Sequence, residues 1–259
     1  MYLLFDIGGT NMRVAVSDGA TITQTKIFPT PADFGAGLDI FKQFADQEIE
    51  KVAGGIAGPL DKNKTMLIKS PHIGGWVQKP LKQKLTEVFD AKVYLENDTA
   101  LVALGEANYG AGVGKNIVAY LGIGTGVGGA RIVNGRIDEN SLGFEPGHQI
   151  IVPDGNLCRC GGKGHLETYV AGAYHDRNQT NRDEVAKYLA IGLNNTIVHW
   201  SPDIVILGGG VMQSISIDKV RTYLKETLTI FPHAPAVVPS QLRDTAGLFG
   251  ALTIIKQSV

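Results

Sequence analysis

Leu3-Leu4-Phe5-Asp6-Ile7-Gly8-Gly9-Thr10-Asn11-Met12-Arg13-Val14-Ala15-Val16 is the stretch on which the fold turns. Leu3 to Phe5 is a short apolar run, as a buried strand requires, and it ends at Asp6-Ile7-Gly8-Gly9-Thr10. Met12, Val14 and Val16 then alternate with other residues, which is the period of a returning strand. Asp18-Gly19 stands where a tight hairpin turns. The same order recurs later. Asn116 to Leu121 runs into Gly122-Ile123-Gly124-Thr125-Gly126, Val127 to Val133 returns, and Asn134-Gly135 is a second hairpin turn. A repeated strand, glycine loop and returning strand predicts a duplicated α/β architecture.

Working outward, a third strand is expected from Ile22 to Phe28, and Pro29 and Pro31 break it. Leu38, Phe41, Phe44, Ala45 and Ile49 recur at helical spacing. Val52 to Ala57 reads as a strand with Gly58-Pro59 as its exit. Pro80 followed by Leu81, Leu85, Val88 and Phe89 reads as a helix with proline in its first turn. Val93-Tyr94-Leu95 runs into Glu96-Asn97-Asp98, and a helix through Leu101, Leu104 and Asn108 follows. In the second half, Val185 to Trp200 gives the longest amphipathic helix, with Ser201-Pro202 ending it. Ile204 to Leu207 opens into Gly208-Gly209-Gly210, and helical stripes recur at Val220 to Leu228 and Leu248 to Leu252. Landmarks near Gly8, Gly58 and Asp98 thus reappear near Gly124, Gly209 and Asp244, apart from an insertion of about 35 residues carrying Glu145, His148, Cys158 and Cys160. The expectation is two mixed α/β lobes, residues 1–112 plus 245–259 and residues 113–244, with a ligand cleft between them.

Composition narrows the function. Of 259 residues, 44% are hydrophobic and 19% charged, enough apolar content for a real core and too little charge for a disordered chain. Lys and Arg number 24 against 25 Asp and Glu, so no overall basic field exists to hold nucleic acid or an anionic membrane. No apolar run approaches the ~18–20 residues that span a bilayer, and Met1-Tyr2-Leu3-Leu4-Phe5-Asp6 lacks the basic start of a signal peptide. With only Cys158 and Cys160, a disulfide framework is excluded and a cytoplasmic location is expected.

The glycine loops suggest anion binding. Gly8 and Gly9 let backbone N–H groups approach a phosphate, Thr10 and Asn11 add short polar side chains, Asp6 is placed to hold Mg2+, and Arg13 adds charge. Gly124-Thr125-Gly126 repeats the loop with Gly122 in place of the aspartate. Two anion turns with one carboxylate suit a single Mg2+-nucleotide; two plain glycine hairpins are the alternative. Gly208-Gly209-Gly210 is either a place for an adenine or ribose or a simple strand-to-helix turn.

These loops, with Glu145-Pro146-Gly147-His148, Cys158-Arg159-Cys160-Gly161-Gly162-Lys163-Gly164-His165-Leu166-Glu167 and Ile206-Leu207-Gly208-Gly209-Gly210, resemble the ROK family. That family groups sugar kinases with sugar-responsive repressors and has the two-lobed actin/hexokinase-like (ribonuclease H-like) fold. The resemblance covers nearly the whole chain. It implies transfer of a phosphoryl group from ATP to a hexose or N-acetylhexosamine, usually at the 6-hydroxyl. It also implies Asp98 as catalytic base and sugar contacts at Gly58, Asn97, Asp98, Glu145, His148 and Glu167. Pro71-His72-Ile73-Gly74-Gly75-Trp76 matches a substrate loop, so Trp76 is expected to line the cleft and Trp200 to be core. An ordinary helix N-cap is the alternative role for Asp98. A repressor would need a DNA-binding helix-turn-helix ahead of the first strand, a non-catalytic sugar sensor would not need Asp6 or Asp98, and a polyol or acyl-phosphate kinase would not need the cysteine stretch.

His148, Cys158, Cys160 and His165 offer two imidazoles and two thiolates, a closed tetrahedral Zn2+ set of structural type; free thiols with His165 pointing to solvent are the alternative. The family normally has a third cysteine where this chain has His165. Pro146 stands where relatives carry a larger residue, and the stretch from Ala171 to Glu184 is shorter than theirs. That stretch takes part in subunit contacts in the family, and a homodimer is one assembly the resemblance allows.

Overall fold

A computed structural model describes residues 1–45, 47–70, 73–175 and 181–258. They form two compact units, Met1–Asn108 with Asp244–Val259, and Tyr109–Arg243.

The first unit is built on strands β1 (Tyr2–Ile7), β2 (Asn11–Ser17), β3 (Ile22–Pro29), β4 (Lys51–Ile56) and β5 (Lys92–Asn97), in the order β3-β2-β1-β4-β5. β1 pairs antiparallel with β2 and parallel with β4, and β4 pairs parallel with β5. β1 is buried from Leu3 to Ile7, which is why it reads as a continuous apolar run. β3 is the exposed edge, and its Thr, Gln and Lys side chains suit that position. Helices α1 (Phe34–Phe44) and α2 (Leu81–Phe89) supply Leu38, Phe41, Leu81 and Leu85 to a core with Leu3, Phe5 and Val14. Phe5 and Phe41 meet edge to face at 5.1 Å. Asp33 caps α1 by accepting the N–H of Ala36.

Helices α3 (Asp98–Tyr109) and α7 (Ala246–Gln257) meet almost backbone to backbone. A Cβ on Gly105 would lie 2.1 Å from the carbonyl oxygen of Ala246, and one on Gly250 would lie 2.0 Å from that of Leu101. Only glycine permits this approach. It sets the start of α3, with Asp98, against the sheet that carries Asp6: a Cβ on Gly55 of β4 would come within 2.9 Å of the Asp98 Cα.

The second unit repeats the plan. Strands β6 (Ile117–Ile123), β7 (Val127–Val133), β8 (Arg136–Ile137), β9 (Ile204–Gly208) and β10 (Ala236–Pro239) lie in the order β10-β9-β6-β7-β8, with β6–β7 antiparallel and β6–β9 and β9–β10 parallel. The short α4 (Glu167–Val170), the long α5 (Arg182–Trp200) and α6 (Ile217–Thr227) cover it, with Leu189, Leu193, Val220 and Leu224 packed among Leu121, Val205 and Leu207. Asn181 caps α5, and Ser201 ends it in the left-handed region (φ 47°) just before Pro202. The two sheets therefore share one strand order. Asp6 pairs with Arg13 and Gly55, and the equivalent Gly122 pairs with Gly128 and Gly208.

Candidate active site

The end of β1 gathers most of the expected residues of the first unit. The turn from Gly8 to Asn11 is closed by the Gly8 N–H donating to the Asn11 carbonyl at 2.9 Å, and Gly9, Thr10 and Asn11 stay exposed. Asp6 is 8% exposed. Burial, then the field of Asp98, pushes its pKa up to about 7; Arg13 pulls the other way and Asp244 adds to the rise. Arg13 is not a free cation. Its Nη2 donates to Asp244 Oδ1 at 3.1 Å and its Nη1 lies 3.8 Å from Asp6 Oδ2.

Asp98 begins α3, yet the cap is supplied by its neighbour. Asn97 Oδ1 accepts the N–H of Ala100 at 3.1 Å, and Asn97 Nδ2 donates to the Gly58 carbonyl at 3.2 Å. Asp98 Oδ1 accepts only from its adjacent residue Thr99, and no donor among the described residues reaches Oδ2. Burial raises the Asp98 pKa against the Thr99 hydrogen bonds. Gly58 is thus hydrogen-bonded to Asn97, the residue next to Asp98. Asp6 and Asp98, two carboxylates of raised pKa, the first in the field of the second and reached only at 3.8 Å by an arginine already engaged by Asp244, form a donor set that fits a divalent cation.

The sequence reading missed Lys64. It sits in a left-handed turn (φ 50°) and pairs with Glu96, whose Oε1 in turn accepts the N–H of Asn97. The Asp61-Lys62-Asn63 run is a turn signal, but nothing local names Glu96 as the partner. Trp76 is a correction. It is 1% exposed, donates Nε1–H to the Pro31 carbonyl and meets Phe34 edge to face, so it is core. Ile73 is 3% exposed and also core. Pro71 and His72 lie outside the described residues. Trp200, expected as core, is half-buried.

In the second unit, the turn from Gly124 to Gly126 is closed by the Gly124 N–H donating to the Gly126 carbonyl, with Thr125 exposed. The glycines at Gly208-Gly209-Gly210 have internal reasons to be small. A Cβ on Gly208 would lie 2.1 Å from the Tyr120 hydroxyl, and one on Gly209, which has φ +91°, would lie 2.3 Å from the Ile123 carbonyl oxygen. Gly210 alone faces open space. Tyr120 thus fills the gap that Gly122 and Gly208 leave where the first unit has its aspartate.

His148, Cys158, Cys160 and His165 converge, with one ligand atom from each lying within 4.8 Å of the others. His148 Nδ1 is 3.3 Å from His165 Nδ1 and 3.8 Å from Cys158 Sγ, and Cys160 Sγ is 3.3 Å from His165 Nδ1. These are close to the ~3.4–3.8 Å edges of a tetrahedron built on ordinary Zn–N and Zn–S bonds, so the donor set fits zinc. The histidine replacement is accommodated locally: a Cβ on Gly162 would lie 2.5 Å from His165 Cε1, so glycine there leaves room for the ring. His148 turns Nε2 away from the cluster, 4.0 Å from Glu145 Oε2. Glu145 is exposed, and Pro146 packs over Gly129. Glu167 Oε2 accepts the N–H of Val127 at 2.9 Å.

A duplicated mixed sheet with a glycine turn after the first strand of each half defines the actin/hexokinase-like class. The sequence model of the ROK family matches residues 2–184 and 173–258, and the chain belongs to that family. The two matched segments overlap over residues 173–184, within the stretch from Ala171 to Glu184. The glucokinase of Thermotoga maritima is 28% identical over 98% of this chain and 96% of its own. A ROK hexokinase from Thermus thermophilus superposes with a TM-score of 0.89, at 27% identity and 99% coverage of both chains. A ROK family glucokinase from Streptomyces griseus in complex with glucose and AMPPNP superposes with a TM-score of 0.82, at 26% identity, over 98% of this chain and 99% of its own. No described helix is long and apolar enough to cross a membrane.

Proposed function

We propose that this ATP-dependent sugar kinase transfers the γ-phosphoryl group of ATP to the 6-hydroxyl of a hexose or N-acetylhexosamine, with Asp98 as general base. The observation that carries the reading is Asp98 itself. Its neighbour Asn97 caps the helix, its Oδ2 has no donor among the described residues, and its raised pKa suits proton acceptance. The sugar oxygen forms the new O–P bond, the bond to ADP breaks, and the alcohol proton passes to Asp98. Gly58, Asn97, Glu145, His148 and Glu167 hold the sugar. Gly8, Gly9, Thr10, Asn11 and Gly124, Thr125, Gly126 take the phosphates, and Gly210 leaves room for the adenosine. Asp6 would hold Mg2+, which supplies charge neutralisation at the phosphates. His148, Cys158, Cys160 and His165 would hold Zn2+, which supplies a rigid cross-link to a loop poor in apolar contacts and fixes the ring of His148 so that Nε2 is free for a sugar hydroxyl. The reading is of a cytoplasmic enzyme that needs neither nucleic acid nor membrane.

The test is a panel in which glucose, mannose, fructose, N-acetylglucosamine and N-acetylmannosamine are each paired with Mg-ATP and ADP release is followed. One of them is expected to turn over. Asp98→Asn should lower kcat by ~10²–10⁴-fold while circular dichroism and Tm stay near wild type. Burial moves the acid limb of kcat/KM above the ordinary aspartate range. No ADP release with any sugar, or an Asp98→Asn variant as active as wild type, would overturn the reading.

A further inference from the structure

We infer that Glu167 is a positioning residue for the turn Gly124-Thr125-Gly126, tying that turn to the metal-ligand loop; the inference rests on reading the turn as a phosphate loop. Glu167 is the first residue of α4. Its Oε2 accepts the N–H of Val127, the residue that leaves the turn, at 2.9 Å. The same oxygen fills the space beside Gly126, where a Cβ would come within 2.6 Å of it. Glycine at 126 is therefore required by Glu167 whether or not an anion approaches.

The residues after α4 hold the rest of the turn. Gly172 N–H donates to the Gly124 carbonyl at 2.8 Å, and Ala173 N–H donates to the Thr125 carbonyl at 3.1 Å. In a trans peptide the carbonyl and the following N–H point opposite ways. Fixing the carbonyls of Gly124 and Thr125 toward residues 172–173 turns the N–H groups of Thr125 and Gly126 to the other side. Two N–H groups aimed one way are what an anion-binding turn needs. Glu167 and the 172–173 segment thus set the direction in which the turn donates.

That support is fastened to the metal loop. Glu167 Oε1 lies 4.0 Å from Cys158 Sγ. Arg159 N–H donates to the Tyr174 hydroxyl at 2.9 Å, its guanidinium stacks 5.4 Å above the Tyr174 ring, and its Nη2 donates to the Ala173 carbonyl at 3.3 Å. The Tyr174 hydroxyl donates to Cys158 Sγ at 3.6 Å. The chain of contacts runs from Cys158 Sγ through Glu167 and Tyr174 to the turn, all within residues 109–243.

Length and charge at position 167 separate this role from a sugar contact. Glu167→Gln keeps an acceptor at the same reach, whereas Glu167→Asp keeps the charge and falls short of Val127. Calorimetric titration with AMPPNP, without sugar, should show Glu167→Gln within about 3-fold of wild type and Glu167→Asp and Glu167→Ala weaker by about 10-fold or more. Equal AMPPNP affinity in all four proteins would overturn the inference. A role confined to sugar would instead weaken glucose binding and leave AMPPNP unchanged. If Glu167→Ala does not fold, the Asp and Gln pair decides. Amide exchange at Val127, read without any ligand, should be faster in Glu167→Asp than in Glu167→Gln. That result stands even if the wild type binds no AMPPNP, which would sink the phosphate-loop reading alone. Protein stripped with a chelator and checked by elemental analysis should bind AMPPNP at least about 3-fold more weakly; unchanged affinity would sever the link to the metal loop.

Discussion

Asp6 stands at the end of β1 with its carboxyl group withdrawn from water and facing the field of a second carboxylate, which together push its pKa from 3.8 to about 7. The folded chain then holds this proton more tightly than the unfolded chain. Stability from this group is full below pH 3.8 and is lost as pH rises toward about 7, because the native state must either stay protonated or bury a charge. Asp6→Asn removes that cost. In magnesium-free buffer at pH 8 it should raise Tm by about 5 °C or more, the gain shrinking to nothing near pH 4, while turnover falls by at least ~10²-fold. A Tm at pH 8 equal to wild type would show that the carboxyl group is not strained in the fold. Single residues also mark how far the sequence could be read. Asp6 stood out because it borders a glycine pair, and His148, Cys158, Cys160 and His165 because they are close together in a glycine-rich stretch, whereas Asp98 was singled out only by the family resemblance, an ordinary N-cap being the alternative. Arg13 did not reveal that Asp244, far along the chain, already occupies it. Trp76 looked like a ligand wall beside two glycines. Instead it packs on Gly37, where a Cβ would lie 2.2 Å from its ring.

Among the elements, the crossing of α3 and α7 governs the site of the first unit. Both helices read correctly from apolar periodicity, and both carry a glycine that periodicity treats as a weakness. Gly105 and Gly250 are there because each receives the backbone of the other helix, a contact between segments far apart along the chain. Gly250→Ala should therefore destabilise by about 1–3 kcal/mol, read as a lower urea midpoint, although alanine is the better helix former. It should also raise KM or lower kcat, since Asp98 begins the displaced helix. A midpoint equal to or above wild type would mean that the helices slide apart freely. The insertion in the second half was the opposite case. It has no long periodic run; its regular elements are short, among them the 3-10 turns Pro146–His148 and Gly172–Tyr174 and the four-residue α4, and its order comes from turns and side-chain links such as Arg159 to Tyr174. Such links leave no periodic trace in a sequence.

For the whole molecule, duplication was the most legible feature, because two glycine turns after two apolar strands dictate the same strand order twice. The divergence of the halves was only half legible. Gly122 in place of aspartate was plain, but the filling of that position by Tyr120 was not. Each unit has its own core, and the cluster of His148, Cys158, Cys160 and His165, which could hold a metal ion, belongs wholly to residues 109–243. On the proposal that this cluster holds zinc, a chelator should accordingly speed amide exchange between residues 145 and 175 and leave residues 1–108 near wild type. A uniform loss of protection would show a single cooperative fold. The partition of the two tryptophans has a further consequence. Trp76 is sealed in the first unit, while Trp200, half-buried and edge-on to Phe144, ends α5 in the second. The chain thus carries one tryptophan per unit, one shielded from collisional quenchers and one open to them, so with excitation selective for tryptophan, iodide and a change of emission colour can report on either half without any added label.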